Sequence, residues 1–134
     1  MFWPRRLATF QLDAMNVTTI AEKQPMVAPD KSEIRAFASP ECGDLQKLSI
    51  AEITLAPGLE VPRHFHRQTE EVYHLLKGSA EMYLDGETQT LCAGQAVTIP
   101  VGKVHGIRNH DTTPLVMAVT CSPPWSPEDQ FEAE

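Results

Sequence analysis

Prolines and glycines cut this chain into pieces too short for long helices. Eleven prolines and seven glycines fall across 134 residues. Between them, apolar residues alternate with polar ones instead of recurring every three or four positions, a pattern of short strands and turns. Residues 32–37 (SEIRAF) read as a short strand and residues 39–44 as a loop. Residues 45–56 read as a longer strand, with Leu48, Ile50, Ile53 and Leu55 apolar, closed by Pro57-Gly58. Residues 72–76, 79–84, 88–91, 97–99, 105–108 and 115–121 continue the series, and Asp85-Gly86 is a hairpin turn signal. The tail, SPPWSPEDQFEAE, is Pro-rich and acidic, with one helical turn expected from Ser126. Eight or nine short strands at this spacing, with no internal repeat and no linker, predict an all-β sandwich or barrel in a single domain.

Residues 57–78 (PGLEVPRHFHRQTEEVYHLLKG) concentrate the chemistry. His64 and His66 are two positions apart. In an extended strand such residues share a face, roughly 7 Å apart at their Cα atoms. One metal ion between the rings can take a nitrogen from each. Glu71 has the opposite parity, so Arg67-Gln68-Thr69 must bend or bulge for Glu71 to rejoin them. Any one strand histidine is more simply a hydrogen-bonded residue than a ligand; the constellation is what points to a metal.

A second stretch, residues 94–109 (GQAVTIPVGKVHGIRN), sets out Gly94, Pro100, Gly102, His105 and Asn109 at fixed spacing. Together the two stretches resemble the paired motifs of the cupin superfamily position for position. The first motif, G-x5-H-x-H-x4-E-x6-G, falls on Gly58, His64, His66, Glu71 and Gly78. The second, G-x5-P-x-G-x2-H-x3-N, falls on Gly94, Pro100, Gly102, His105 and Asn109. The resemblance spans residues 30–124 and implies a double-stranded β-helix, the jelly-roll cupin barrel. It also implies a metal site of His64, His66, Glu71 and His105, and a homodimer formed through strand edges. Three neutral imidazoles and a carboxylate suit one divalent transition metal ion: Fe, Mn, Ni, Cu or Zn.

The neighbours of these residues have plainer readings. His74 alternates with Tyr73 and should face away from the metal, while His110 sits in a turn and Glu70 faces solvent. Tyr73 shares the face of Glu71; packing is the simpler role for it, and lining the cavity as a catalytic residue beside Glu71 is the sharper one. Ala80, Met82 and Leu84 form an apolar face, core before pocket. Arg63, Gln68, Lys103 and Arg108 read as solvated side chains, any of which can meet a substrate carboxylate. Asn109 is expected to orient a turn, and Trp125 to close a barrel mouth or anchor the tail.

The formal net charge of −7, with no Lys/Arg cluster beyond Arg5-Arg6, argues against nucleic acid as a partner. Cys42, Cys92 and Cys121 form no disulfide framework, and free thiols point to a reducing, cytoplasmic setting. No apolar run approaches the ~20 residues that span a membrane, and the N-terminus lacks the apolar core of a secretory signal. Residues 1–27 show no clear period and are expected to be an extension, flexible or docked on a partner, ahead of a barrel over residues 28–134. Met15 opens a segment, MNVTTIAEK, similar to the usual start of small cupins.

Three classes of function fit. The first is an enzyme on a small oxygen-rich molecule, of dioxygenase, isomerase or lyase type. The second is a non-catalytic metal-containing protein that binds a sugar or organic acid; the third is a protein with a purely structural metal. The cupin family spans enzymes, storage proteins and sensors, so the fold does not choose among them. Glu71 argues against the family's thiol dioxygenases, which lack that carboxylate, and no helix-turn-helix pattern suggests a transcription factor. The complete ligand set and the lack of a second domain favour the enzyme.

Overall fold

The computed structural model of the protein describes residues 15–134. Of the N-terminal extension, residues 1–14 therefore lie outside the described residues. The rest forms β1 (Met26–Val27), β2 (Glu33–Ala38), β3 (Ser49–Leu55), β4 (Glu60–Phe65), β5 (Glu70–Lys77), β6 (Ser79–Leu84), β7 (Glu87–Cys92), β8 (Ala96–Ile99), β9 (His105–Arg108), β10 (Leu115–Ser122) and β11 (Phe131–Glu132). Two short 3-10 turns, Ile20–Glu22 and Pro127–Asp129, are the only helical pieces among the described residues. None is long and apolar enough to cross a membrane.

The strands pair antiparallel in two sheets, ordered β1-β2-β3-β10-β5-β8 and β11-β4-β9-β6-β7. From β3 to β6 and again from β8 to β10, successive strands alternate between the sheets. That winding is the double-stranded β-helix predicted from the sequence. The inward faces follow the period of two. On β10, Leu115, Met117, Val119 and Cys121 are buried while the intervening residues are only half-buried. On β5, Glu71, Tyr73 and Leu75 point in and His74 points out. Ala80 and Met82 join the core, with Leu84 packed against it, as the alternation predicts.

Two turns carry specific backbone demands. Asp85 and Gly86 both have positive φ, +47° and +90°, the conformation of a tight hairpin between β6 and β7. Gly78, at φ +85°, ends the first motif where a Cβ would lie 2.6 Å from the Pro114 carbonyl oxygen. Only glycine fits there on both counts.

The structure departs from the sequence reading in the start of one strand and in two added short strands. The strand expected over residues 45–56 begins only at Ser49. The preceding loop is held in turns by Ser39, whose hydroxyl accepts the Glu41 and Cys42 amides, and Leu45 stays exposed. Two extra two-residue strands, β1 and β11, exist because neighbouring strands offer them an edge; two residues carry no periodicity to detect. The helical turn expected from Ser126 is the 3-10 turn at Pro127–Asp129.

Candidate metal centre

The centre lies between the sheets. His64 and His105 face each other as register partners across β4 and β9, and His66 follows two residues on, where β4 has ended. The β4–β9 register shifts between Val61 and His64. Opposite that irregularity sits Gly106, where a Cβ would be 3.0 Å from the Val61 carbonyl oxygen, so its lack of a side chain lets the strands close. Glu71 comes from the other sheet, on β5.

The bend that brings Glu71 back to the histidines is made by a residue the sequence reading did not single out. The Asp129 carboxylate accepts the main-chain amides of Arg67 (2.9 Å), Gln68 (3.1 Å) and Thr69 (3.0 Å) in succession. Three consecutive N–H groups folded round one carboxylate form an anion nest. Thr69 adds a hydroxyl bond to the Pro123 carbonyl (3.1 Å). The Asp129 main-chain carbonyl meanwhile receives Nδ1 of His66 (2.9 Å). The C-terminal tail thus holds both the loop and one of its histidines.

Each histidine ring is fixed the same way. Nδ1 of His64 donates to the Pro62 carbonyl (2.7 Å), that of His66 to Asp129, and that of His105 to Lys103 (2.9 Å). A carbonyl can only accept, so Nδ1 carries the proton and the neutral ring turns the Nε2 lone pair inward. The donor atoms of His64, His66, Glu71 and His105 all lie within 4.8 Å of one another, and all four residues are buried. Glu71 Oε1 sits 2.8 Å from His105 Nε2 and 3.3 Å from His66 Nε2. The latter contact lacks hydrogen-bond geometry, so His66 Nε2 is buried without a partner. A buried polar atom normally has one; an orphaned lone pair aimed at two other ligating groups fits a metal ion.

The electrostatics favour a charged carboxylate at Glu71. Burial raises its pKa, but the close contacts with His105 and His66 outweigh that and hold the group at about 2. His64 is lowered to about 4, chiefly by burial and by His105. His66 is raised, because its contacts with Glu71 and Asp129 overcome the opposing effect of burial.

A cavity of about 580 Å³ reaches this cluster, with His64, Glu71, Tyr73 and Cys121 on its wall. Tyr73 is buried, packs edge-on against His105 at 5.7 Å, and has its pKa driven well up by burial and by Glu71. It remains a neutral hydroxyl. Cys121, the register partner of Glu71 on β10, gives its thiol hydrogen to Oε2 of that carboxylate (3.3 Å). Its inward parity was readable from β10; its place opposite Glu71 was not.

The other sequence candidates fall outside the ligand cluster. His74 and Glu70 are exposed, and exposed His110 approaches Glu81 at 3.5 Å. Lys103 pairs with Asp85 (3.0 Å), and the Arg63 guanidinium stacks on Tyr83, 3.6 Å from the ring centre. Asn109 is fully buried and ties the turn to Leu55, Thr113 and Asp111. Trp125 lines the cavity, and its main-chain amide bonds Ser49 while its indole N–H bonds Gln130, which anchors the tail.

Comparison with known proteins agrees with this geometry. Residues 51–121 match the Cupin domain family. An uncharacterised protein of Methanocaldococcus jannaschii is 33% identical over 106 residues, covering 79% of this chain and 85% of that protein. Among solved structures, the polyketide cyclase RemF from Streptomyces resistomycificus superposes with a TM-score of 0.78 at 20% identity, covering 90% of this chain and 87% of that one. A predicted oxalate decarboxylase from Thermotoga maritima gives a TM-score of 0.75 at 23% identity, covering 80% and 98%. At such identities the structural likenesses speak for the fold alone. With both motifs, the barrel and the histidine–glutamate cluster in place, the chain belongs to the cupin family.

Proposed function

We propose that this protein is a metal-dependent enzyme acting on a small oxygen-bearing molecule, in reactions of dioxygenase, isomerase or lyase type. One observation carries the reading: three inward Nε2 atoms and a carboxylate converge, one Nε2 orphaned, beside a cavity whose wall includes His64 and Glu71. His64, His66, His105 and Glu71 would hold one divalent transition metal ion (Fe, Mn, Ni, Cu or Zn). Such an ion supplies Lewis acidity and, if redox-active, access to dioxygen chemistry. A purely structural ion would be better served by a closed site, whereas His64 and Glu71 here face a space that a ligand can enter.

The chain's own residues divide the remaining work. Glu71 stays ionised and balances the charge of the site. Tyr73, neutral and at the cavity wall, offers a hydroxyl that can hydrogen-bond a substrate oxygen or give it a proton. The three free thiols support a reducing, cytoplasmic setting.

Elemental analysis of the untagged protein as purified is expected to find a stoichiometric divalent transition metal. The variant with His64→Ala and His105→Ala should lose it while keeping the β-sheet circular dichroism. Oxygen uptake by the Fe(II)-loaded protein with diketones and catechols then separates dioxygenase from isomerase or lyase chemistry. Loss of the fold in the double variant would make the ion structural. Ligand binding without turnover of any substrate would favour the non-catalytic binder.

A further inference from the structure

We infer that the substrate has a sizeable apolar body carrying an uncharged or weakly charged oxygen head, and is not a small dianionic acid. This rests on the metal-enzyme reading above and adds a substrate class to it.

The cavity is large for the chemistry at its end. About 580 Å³ lies within the range of pockets that enclose whole drug-sized molecules; a dicarboxylate such as oxalate would fill only a corner next to the histidines. Its walls are mainly aliphatic. Ile34, Ile50, Ile53, Val61 and Val119 supply them from β2, β3, β4 and β10. Trp125 adds a flat aromatic face at the tail. Such walls gain by covering apolar surface and give nothing to a small, strongly hydrated ion.

The charges point the same way. Asp30, Glu41 and Glu132 line the cavity alongside Glu71, and Arg63 is the only Lys or Arg among the described residues that line it. Arg63 is stacked on Tyr83. Beyond the metal ion itself, a dianion entering this space would meet three further carboxylates with no free Lys or Arg among the described lining residues to offset them. A neutral molecule meets no such cost.

The test uses three probes on the metal-loaded full chain: benzoylacetone, acetylacetone and oxalate. The two diketones share one head and differ by a phenyl ring in place of a methyl group. Calorimetric titration is expected to show benzoylacetone binding at least about ten-fold tighter than acetylacetone, the scale set by burying a ring, with oxalate weakest. Metal content is measured before and after, so that chelation of the ion is not mistaken for binding. Trp125→Ala should reduce the benzoylacetone preference, and Trp125→Phe should restore it. Equal affinity for the two diketones, or tighter binding of oxalate, would overturn the inference while the metal site stands. A protein that takes up no metal would overturn the parent reading and this one with it.

Discussion

At His64, His66 and His105 one ring nitrogen is committed to a main-chain carbonyl, which leaves the other free to ligate. His64 and His66 nonetheless compete with protons differently. His64, lowered to about 4, stays neutral through the mildly acidic range. His66 is raised, so below its shifted pKa an incoming cation must displace its proton. Protonation favours the metal-free form, so affinity falls as pH drops. The fall should begin above the ordinary histidine range near ~6.5, with a slope approaching about tenfold per pH unit. Competition against a chelator between pH 8 and pH 5 measures it, and a flat profile would exclude proton displacement at His66. Cys121 offers a second test at this scale. Its thiol engages Oε2 of Glu71 and leaves Oε1 toward the histidines. Cys121→Ala should weaken metal binding by roughly fivefold, the worth of one such hydrogen bond, and Cys121→Ser should recover most of it. Unchanged affinity in the alanine variant would mean the thiol does not orient Glu71.

Among the elements, the C-terminal tail matters beyond its size. The turn at Pro127–Asp129 and strand β11 lie at the edge of the five-stranded sheet, yet they fix the loop between His66 and Glu71. Phe131 stacks on Phe65 with ring centres 5.4 Å apart, and the Arg67 guanidinium covers it at 4.2 Å, so the tail is packed as well as hydrogen-bonded. Asp129→Ala removes the acceptor of three amides without touching a proposed ligand. Metal affinity is expected to fall about ten-fold or more, as for partners that orient ligands elsewhere. Asp129→Asn, with one acceptor oxygen left, should fall in between. The barrel itself should survive, because its core strands make no use of Asp129, and thermal unfolding of the metal-free variant checks this. Wild-type affinity in the alanine variant would reduce the tail to packing.

For the molecule as a whole, β1 is an edge strand of the six-stranded sheet, apolar and, among the described residues, uncovered. Met26 and Val27 are 59% and 65% exposed, and Met15 and Val17 more so. An edge of this kind invites pairing with another chain. We propose a homodimer that covers it. Light scattering should give twice the chain mass, and Met26→Lys with Val27→Lys should shift the protein to monomer at the same concentration. A monomeric wild type would leave this edge to some other role.

The features legible in the sequence are local. Alternation of apolar residues set the strands, Pro-Gly and Asp-Gly pairs set the turns, and fixed spacing named His64, His66, Glu71 and His105, because each of these is written within a few residues of chain. The same parity put His74 outside and Ala80 and Met82 inside. The tertiary structure decided what depends on residues far apart. Asp129 clamps an amide 60 residues away, and Cys121 meets Glu71 across 50. Neither contact leaves a periodic trace, since a nest or a cross-strand pair needs only one residue in the right place once the sheets have closed. The cavity is likewise shaped by strands from both sheets and by the tail, and its size and charge exist only after they pack.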